Sequence, residues 1–130
     1  MLLIDPLPVT DRAMVAPLVL VLEDEELISL DLEFALADAG FTVAVARSCA
    51  EAADFLADQR PDVAILDVRL RDGECTAAAQ KLLAQGVPFI VHSAFVSSDA
   101  DEVFRSGTLV HKPAGTPDLV KIFRELASGS

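Results

Sequence analysis

The sequence has no tryptophan or tyrosine, only two cysteines and two histidines, and few basic residues. Ten Lys and Arg stand against 21 Asp and Glu, which gives a formal net charge of −11. This balance argues against nucleic-acid binding, because phosphates are neutralised by clustered basic side chains. An acidic surface is also unsuited to anionic lipid, so no membrane partner is expected.

Long apolar runs are missing as well. The longest, residues 16–22, is far shorter than the roughly 18 residues that a membrane-spanning helix needs. No secretory signal is expected, because an aspartate and two prolines interrupt the apolar N-terminus. Cys49 and Cys75 are too few and too separated to suggest a metal knuckle or a disulfide framework. Each lies among alanines and is expected to act as a small apolar residue in a reducing cytoplasm.

What the sequence does contain is a strand followed by a helix, repeated five times. The predicted strands are 18–22, 41–46, 63–66, 88–92 and 108–111. The predicted helices are 26–39, 48–59, 74–85, a weak one at 99–105, and 116–127. This alternation predicts an α/β fold: a doubly wound, five-stranded parallel sheet of flavodoxin-like order 2-1-3-4-5, with helices on both faces. Residues 1–16 are predicted to be an N-terminal extension, and residues 17–128 a single domain.

Polar side chains stand at the carboxyl ends of four predicted strands. Glu23 and Asp24 follow the first strand, Asp67 the third, Ser93 the fourth and Lys112 the fifth. Because open α/β sheets bind ligands at this edge, these side chains are expected to converge. Crowded carboxylates need a compensating cation, and oxygen ligands without His or Cys favour Mg²⁺. A carboxylate beside bound Mg²⁺ can attack phosphorus and become an aspartyl phosphate, while a lysine neutralises charge.

In this ordered set of strand ends, the sequence resembles the receiver domains of two-component response regulators. The resemblance covers about residues 17–127 and is carried by LVLVLEDE, VAILDVRL, VHSA and VHKPA. It implies that Asp67 is the phosphoacceptor. It also implies that Mg²⁺ is bound by Glu23, Asp24, Asp67 and the backbone carbonyl of Arg69. The loop after Asp67 is shorter than the common receiver loop and lacks its proline.

The resemblance extends to a set of switch residues. It implies that Ser93 is the switch hydroxyl, Ala94 the small residue after it, and Lys112 the partner of the phosphoryl group. The fifth strand carries Leu109 where many receivers have an aromatic residue, so the usual aromatic rotation cannot occur there. The segment PFIVHSAF resembles the PFxFATGY motif of a receiver subset, in which Phe95 would take the place of that aromatic. The short gap before Lys112 predicts a shortened fourth helix.

The resemblance implies a phosphorylation-dependent signalling switch rather than an enzyme with small-molecule turnover. A sensor histidine kinase would phosphorylate Asp67, with Mg²⁺ as the cofactor. Since no output segment follows Ser130, the signal is expected to reach a downstream protein or a histidine phosphotransfer protein. The protein is expected to be a cytoplasmic monomer or weak homodimer.

Other functions stay open on the residues alone. A small Mg²⁺-dependent phosphatase could use Asp67 as its nucleophile, although Arg69 stands where a general acid would be wanted. A flavin-binding domain shares the fold, but no Gly- or Ser/Thr-rich phosphate loop follows the first strand. A domain whose acidic pocket is purely structural is the remaining alternative, and Asp24 could simply cap the first helix.

The histidines and Cys75 are interpreted as structural. His92 and His111 each precede a predicted site residue, and neighbours in a strand point to opposite faces of the sheet. Each histidine should therefore face away from the site. Cys75 follows the loop of Asp67 and could sense redox state, but the structural role is favoured.

The first helix carries two apolar stripes. The stripe suited to the sheet consists of Ile28, Leu32, Ala35, Leu36 and Ala39. The second, on nearly the opposite side, consists of Leu27, Leu30, Phe34 and Ala37. The last helix is the favoured cover for the second stripe, and the N-terminal extension or a second chain are the alternatives.

Overall fold

One parallel sheet organises the molecule. The structure, a computed structural model, describes residues 16–93, 102–111 and 116–127. Its sheet strands are β1 Leu18–Leu22, β2 Thr42–Ala46, β3 Val63–Leu66, β4 Phe89–Ser93 and β5 Thr108–His111. Its α-helices are α1 Glu26–Asp38, α2 Cys49–Asp58, α3 Thr76–Ala84 and α4 Thr116–Ala127. The strand order is β2-β1-β3-β4-β5, all parallel, which confirms the predicted flavodoxin-like sheet.

The central strands are buried because helices cover both faces of the sheet. Successive side chains of a strand point to opposite faces. In β1, Leu20 and Leu22 therefore join the core that lies under α2 and α3. Val19 and Val21 join the core under α1 and α4. This two-sided burial explains why the strand reads as an unbroken apolar run.

Helix α1 buries one of its two apolar stripes and exposes the other. Leu36 is fully buried against the sheet, together with Leu119 and Phe123 of α4. Leu27 and Phe34 are 83% and 75% exposed. The expectation that the last helix covers the second stripe is therefore wrong. Helix α4 packs beside the sheet-facing stripe, where its own apolar side chains are buried, and leaves the outer face of α1 exposed.

The start of α2 is held by side-chain caps. The hydroxyl of Ser48 accepts a hydrogen bond from the backbone N–H of Glu51 at 3.1 Å. The carboxylate of Glu51 accepts from the N–H of Arg47 at 2.8 Å. These two bonds resemble a capping box whose second bond is displaced by one residue, from the N–H of Ser48 to that of Arg47. Such caps typically contribute about 1 kcal/mol to helix stability, and they set where α2 begins.

The connection between β4 and β5 is short, as predicted. Its described part is a 3₁₀ segment, Glu102–Ser106, instead of a full α-helix. At Gly107 the chain passes close to β4. A Cβ at this position would lie 2.5 Å from the ring of Phe89, which is too short for a side chain to be accommodated. The absence of a side chain at Gly107 therefore lets β5 start directly beside β4.

Candidate functional site

The carboxyl ends of β1 and β3 bring two acidic residues together. The register pairs Leu22 with Leu66, so Glu23 and Asp67 each stand one residue beyond this pair. The backbone N–H of Asp67 donates to the carbonyl of Leu22 at 3.1 Å and extends the ladder. The structure therefore places Glu23 and Asp67 on neighbouring strands at one edge of the sheet.

Glu23 is a buried carboxylate, with 3% of its surface exposed. Its Oε2 accepts a hydrogen bond from the backbone N–H of Glu25 at 3.1 Å. Burial of a carboxylate is costly unless hydrogen bonds or charges compensate it. Asp24 is half-buried beside it. The interpretation of Asp24 as a helix cap is wrong, because the N-cap of α1 is Glu25, whose side chain makes no cap hydrogen bond.

The loop between β3 and α3, residues 67–75, is a small hairpin. Arg69–Leu70 pairs antiparallel with Gly73–Glu74, and the N–H of Cys75 donates to the carbonyl of Val68 at 2.9 Å. Gly73 has φ +122°, a conformation that side chains disfavour. Leu70 is buried and anchors the loop in the core. Because the hairpin occupies residues 73–74, α3 begins at Thr76 and not at residue 74 as predicted.

Cys49 and Cys75 form a disulfide, with Cα atoms 5.2 Å apart. The expectation of two separate, reduced cysteines is therefore wrong. The two cysteines are 26 residues apart in sequence but meet in the fold, because α2 and α3 cover the same face of the sheet. Both cysteines stand where a helix begins, beyond the carboxyl ends of parallel strands. That shared position was the signal in the sequence that could have predicted the pair.

Asp72 joins the loop to α2, a role that no pattern in the sequence indicated. Its carboxylate accepts hydrogen bonds from the backbone N–H of Cys49 at 2.7 Å and of Ala50 at 3.0 Å. The first N–H groups of a helix lack partners within the helix, which makes them suitable donors. Donation by the Cys49 N–H lowers the pKa of Asp72 below its ordinary value of 3.8. The charged form of Asp72 therefore holds the loop against α2.

The other half of the predicted site lies at the ends of β4 and β5. The backbone of Ser93 pairs with that of His111, one position before Lys112. Leu109, on β5, is 47% exposed, and His92 is buried. The side chain of Ser93, together with Ala94, Phe95 and Lys112, lies outside the described residues. For this half of the site, the structure places backbone positions only.

The acidic edge suits a partly hydrated Mg²⁺ better than a cage made only of side chains. Within residues 16–93, 102–111 and 116–127, no group of three or more His, Cys, Asp or Glu side chains could hold a metal ion. Mg²⁺ commonly uses one or two carboxylates and keeps several waters. Glu23, Asp24 and Asp67 provide oxygen donors only, which is the donor type that Mg²⁺ prefers. The residues present therefore fit this ion.

Comparison with known proteins decides the family. The family model of the response regulator receiver domain matches residues 19–124. This chain belongs to that family. Receiver domains are generally phosphorylation-dependent signalling switches rather than dedicated enzymes, and they interact with histidine kinases and downstream targets. The predicted membership of the receiver-domain family is thus confirmed.

Curated relatives support the assignment over part of their length. The transcriptional regulatory protein PrrA of Mycobacterium tuberculosis and that of Mycobacterium bovis are each 35% identical to this receiver domain over 91 residues. The alignment covers 68% of this chain but only 39% of each relative. The chain therefore spans well under half of the length of these regulators.

Solved structures share the receiver fold. A CheY-like receiver domain protein from Methanospirillum hungatei superposes with a TM-score of 0.78 at 20% identity, over 88% of this chain and 95% of that one. The receiver domain of a sensor histidine kinase from Pseudomonas aeruginosa has a TM-score of 0.75 at 23% identity, over 88% and 99%. That structure holds a magnesium ion in its active site cleft. In the described part of this receiver domain, no helix is long and apolar enough to cross a membrane.

Proposed function

We propose that this receiver domain accepts a phosphoryl group on Asp67 from a sensor histidine kinase, with Mg²⁺ as the cofactor. The observation that carries the proposal is the position of Asp67 at the end of β3, level with Glu23 at the end of β1. In a receiver domain this edge of the sheet is the natural ligand-binding edge.

The proposed metal ligands are the backbone carbonyl of Arg69 and the side chains of Glu23, Asp24 and Asp67, of which one or two bind the ion directly and the rest bind it through water. Bound Mg²⁺ would neutralise negative charge on the transferred phosphoryl group. An oxygen of Asp67 attacks phosphorus, the bond from phosphorus to the kinase histidine breaks, and an aspartyl phosphate forms. Glu23, held by the N–H of Glu25, keeps its carboxylate in place at the edge of the sheet.

The proposed switch lies on β4 and β5. Ser93 and Lys112 bind the phosphoryl oxygens, and Ala94 leaves room beside them. Phe95 acts as the aromatic switch residue, because position 109 on β5 is a leucine and has no aromatic ring. The parallel pairing of Ser93 with His111 supports this arrangement, since it brings positions 93 and 112 to adjacent strand ends. Repacking of this face would then change the affinity for a partner.

The same proposal includes the domain boundaries, the cellular location, the oligomeric state and the partners. Residues 17–128 form the receiver domain and residues 1–16 an extension. The protein acts in the cytoplasm as a monomer or weak homodimer. Phosphorylated Asp67 is read by a downstream protein or passes its phosphoryl group to a histidine phosphotransfer protein. Receiver domains in general interact with histidine kinases and downstream targets, which supports these partner classes.

Labelling with acetyl phosphate tests the site. In the presence of Mg²⁺, the intact protein is expected to gain the mass of one phosphoryl group, and chelation of Mg²⁺ should prevent the gain. Asp67→Asn should abolish labelling, because the attacking oxygen is lost. The matched control is Asp54→Asn, an exposed carboxylate of α2, which should label like the wild type. Full labelling of Asp67→Asn would overturn the proposal. Mass is the suitable readout, because the chain has no Trp or Tyr for intrinsic fluorescence.

A further inference from the structure

We infer that the disulfide of Cys49 and Cys75 is a thiol–disulfide exchange site that couples loop 67–75 to the thiol redox state. The chemical partner is a low-molecular-mass thiol, which reduces the bond, or the corresponding disulfide, which restores it. The consequence for phosphorylation rests on the proposed function of Asp67, whereas the exchange reaction does not.

The disulfide joins the loop of the phosphoacceptor to a neighbouring helix. Cys75 ends the loop that starts at Asp67, and Cys49 is the first residue of α2. The N–H of Cys75 donates to the carbonyl of Val68, the residue directly after Asp67. One hydrogen bond and one residue therefore separate the cross-linked residue from Asp67. A change at the sulfur can reach the site through this short connection.

Among the described residues, two of the links between the loop and α2 differ in kind, and of these the disulfide depends on redox state. The other consists of the hydrogen bonds that Asp72 accepts from Cys49 and Ala50, and Asp72 is exposed to solvent. Exposed hydrogen bonds exchange readily with water and constrain a loop less than a covalent bond. In the oxidised protein, Cys49 Sγ lies 3.5 Å from the carbonyl oxygen of Gly73. After reduction its thiol can donate weakly to that oxygen, which does not replace the bond.

The two cysteines differ in exposure. Cys49 is half-buried, whereas Cys75 is 1% exposed. A reductant thiolate therefore attacks Cys49 Sγ, forms a mixed disulfide and displaces Cys75 as a thiolate. Cys75 is the N-cap of α3, a nine-residue helix whose first-turn N–H groups favour an anion. A second reductant thiolate then attacks the reductant sulfur of the mixed disulfide and releases Cys49. Two electrons pass from two thiols to the protein, and solvent protonates both cysteines.

The expected consequence is faster phosphorylation of the oxidised form. Arg69, whose carbonyl is a proposed Mg²⁺ ligand, lies inside the cross-linked loop. Mg²⁺ demands near-octahedral geometry, so a preordered ligand binds it at a lower entropic cost. Reduction frees the loop and should slow labelling. A disulfide in a cytoplasmic protein is usually transient or regulatory, which agrees with an exchange site in the proposed location.

The exchange reaction is tested by counting thiols in the folded full-length chain. The folded protein is equilibrated with defined ratios of reduced and oxidised glutathione and quenched with acid. It is then alkylated in denaturant, so that the buried Cys75 also reacts, and weighed as the intact chain. Two alkylatable cysteines should appear under reducing conditions, none under oxidising conditions, and the change should reverse. Failure to form the intramolecular bond, or resistance of the bond until the protein unfolds, would overturn the inference.

Coupling to the site is tested by the rate of acetyl phosphate labelling and by amide hydrogen exchange of loop 67–75. Reduction is expected to slow labelling at least threefold and to speed exchange in the loop. Cys49→Ala is the redox-blind variant, since it removes the bond and keeps the buried Cys75 side chain. It should behave like the reduced wild type and ignore reductant. Equal labelling rates for oxidised and reduced wild type would overturn the coupling.

A failure of the proposed function gives a different pattern. If Asp67→Asn labels like the wild type, the phosphoacceptor assignment fails. Thiol counting and loop exchange still decide whether the disulfide controls the loop, because neither measurement needs Asp67. If both measurements follow the glutathione ratio, the exchange site stands without the phosphoacceptor assignment.

Discussion

At the scale of single residues, the loop beside Asp67 depends on a few polar contacts that its short sequence allows. Gly73 permits the tight hairpin, and Asp72 reaches the first N–H groups of α2. A carboxylate that accepts helix N-terminal N–H bonds is favoured in its charged form. The position of the loop should therefore respond to acid.

Asp72→Asn tests this contact through its pH dependence. Because the folded-state pKa of Asp72 is lowered from 3.8, its contribution to stability is present above that value and is lost as the pH falls through the lower folded-state pKa. Wild type should be more stable than the variant at about pH 7, and the difference should shrink below about pH 4. Urea unfolding at several pH values measures it. Asp54→Asn is the control, and its stability should differ less from that of the wild type near neutral pH. A difference that stays constant down to about pH 3 would contradict the assignment.

At the scale of elements, helix ends and strand ends decide where the site residues stand. The caps of α2 place Cys49, and the end of α3 is held by Arg60, whose Nε donates to the carbonyl of Gln85 at 3.0 Å. Such contacts satisfy carbonyls that a helix leaves without partners at its end. Helix α3 is thus anchored at its start by the disulfide and at its end by Arg60. Loop 67–75 leads directly into this anchored helix.

Helix α1 provides a paired test of packing within one element. Leu36→Ala should lower the free energy of unfolding by about 2–5 kcal/mol, because Leu36 is fully buried and the change leaves a cavity. Phe34→Ala should change it by less than about 0.5 kcal/mol, because Phe34 is 75% exposed. Chemical denaturation of the full-length chain measures both. A loss above about 1 kcal/mol for Phe34→Ala would show that residues 1–15 or a second copy cover the outer stripe.

At the scale of the whole molecule, one covalent bond connects two helices that cover the same face of the sheet. The Cys49–Cys75 bond closes a loop with a sequence separation of 26, which contains β3 and the proposed phosphoacceptor. Cross-linking of this kind lowers the entropy of the unfolded chain. The stability of the domain should therefore depend on redox state, apart from any effect on signalling.

Reduction of the wild type should cost roughly 3–4 kcal/mol of stability, as expected for a loop of this length. The midpoint of thermal unfolding should fall by roughly 10–15 °C, measured by far-ultraviolet circular dichroism with and without reductant. Cys49→Ala should unfold near the midpoint of the reduced wild type and should not respond to reductant. An unchanged midpoint on reduction would show that the bond adds no stability.

Local patterns determined the architecture. Apolar runs, glycines and prolines placed the five strands of the parallel sheet and the four α-helices within two residues, because a doubly wound parallel sheet buries whole strands and needs helices between them. They did not predict the small hairpin at 69–74. The ends of those strands likewise predicted that Glu23 and Asp67 stand at neighbouring strand ends, since the first and third strands are adjacent and parallel in the predicted order.

Only the tertiary structure decided how distant segments meet. The Cys49–Cys75 bond, the hold of Asp72 on α2 and the exposure of Phe34 all depend on how helices are oriented on the sheet. Sequence periodicity says which face of a helix is apolar, but not which neighbour covers it. Side-chain contacts across 20 or more residues arise from packing, and packing is settled only when the whole chain has folded.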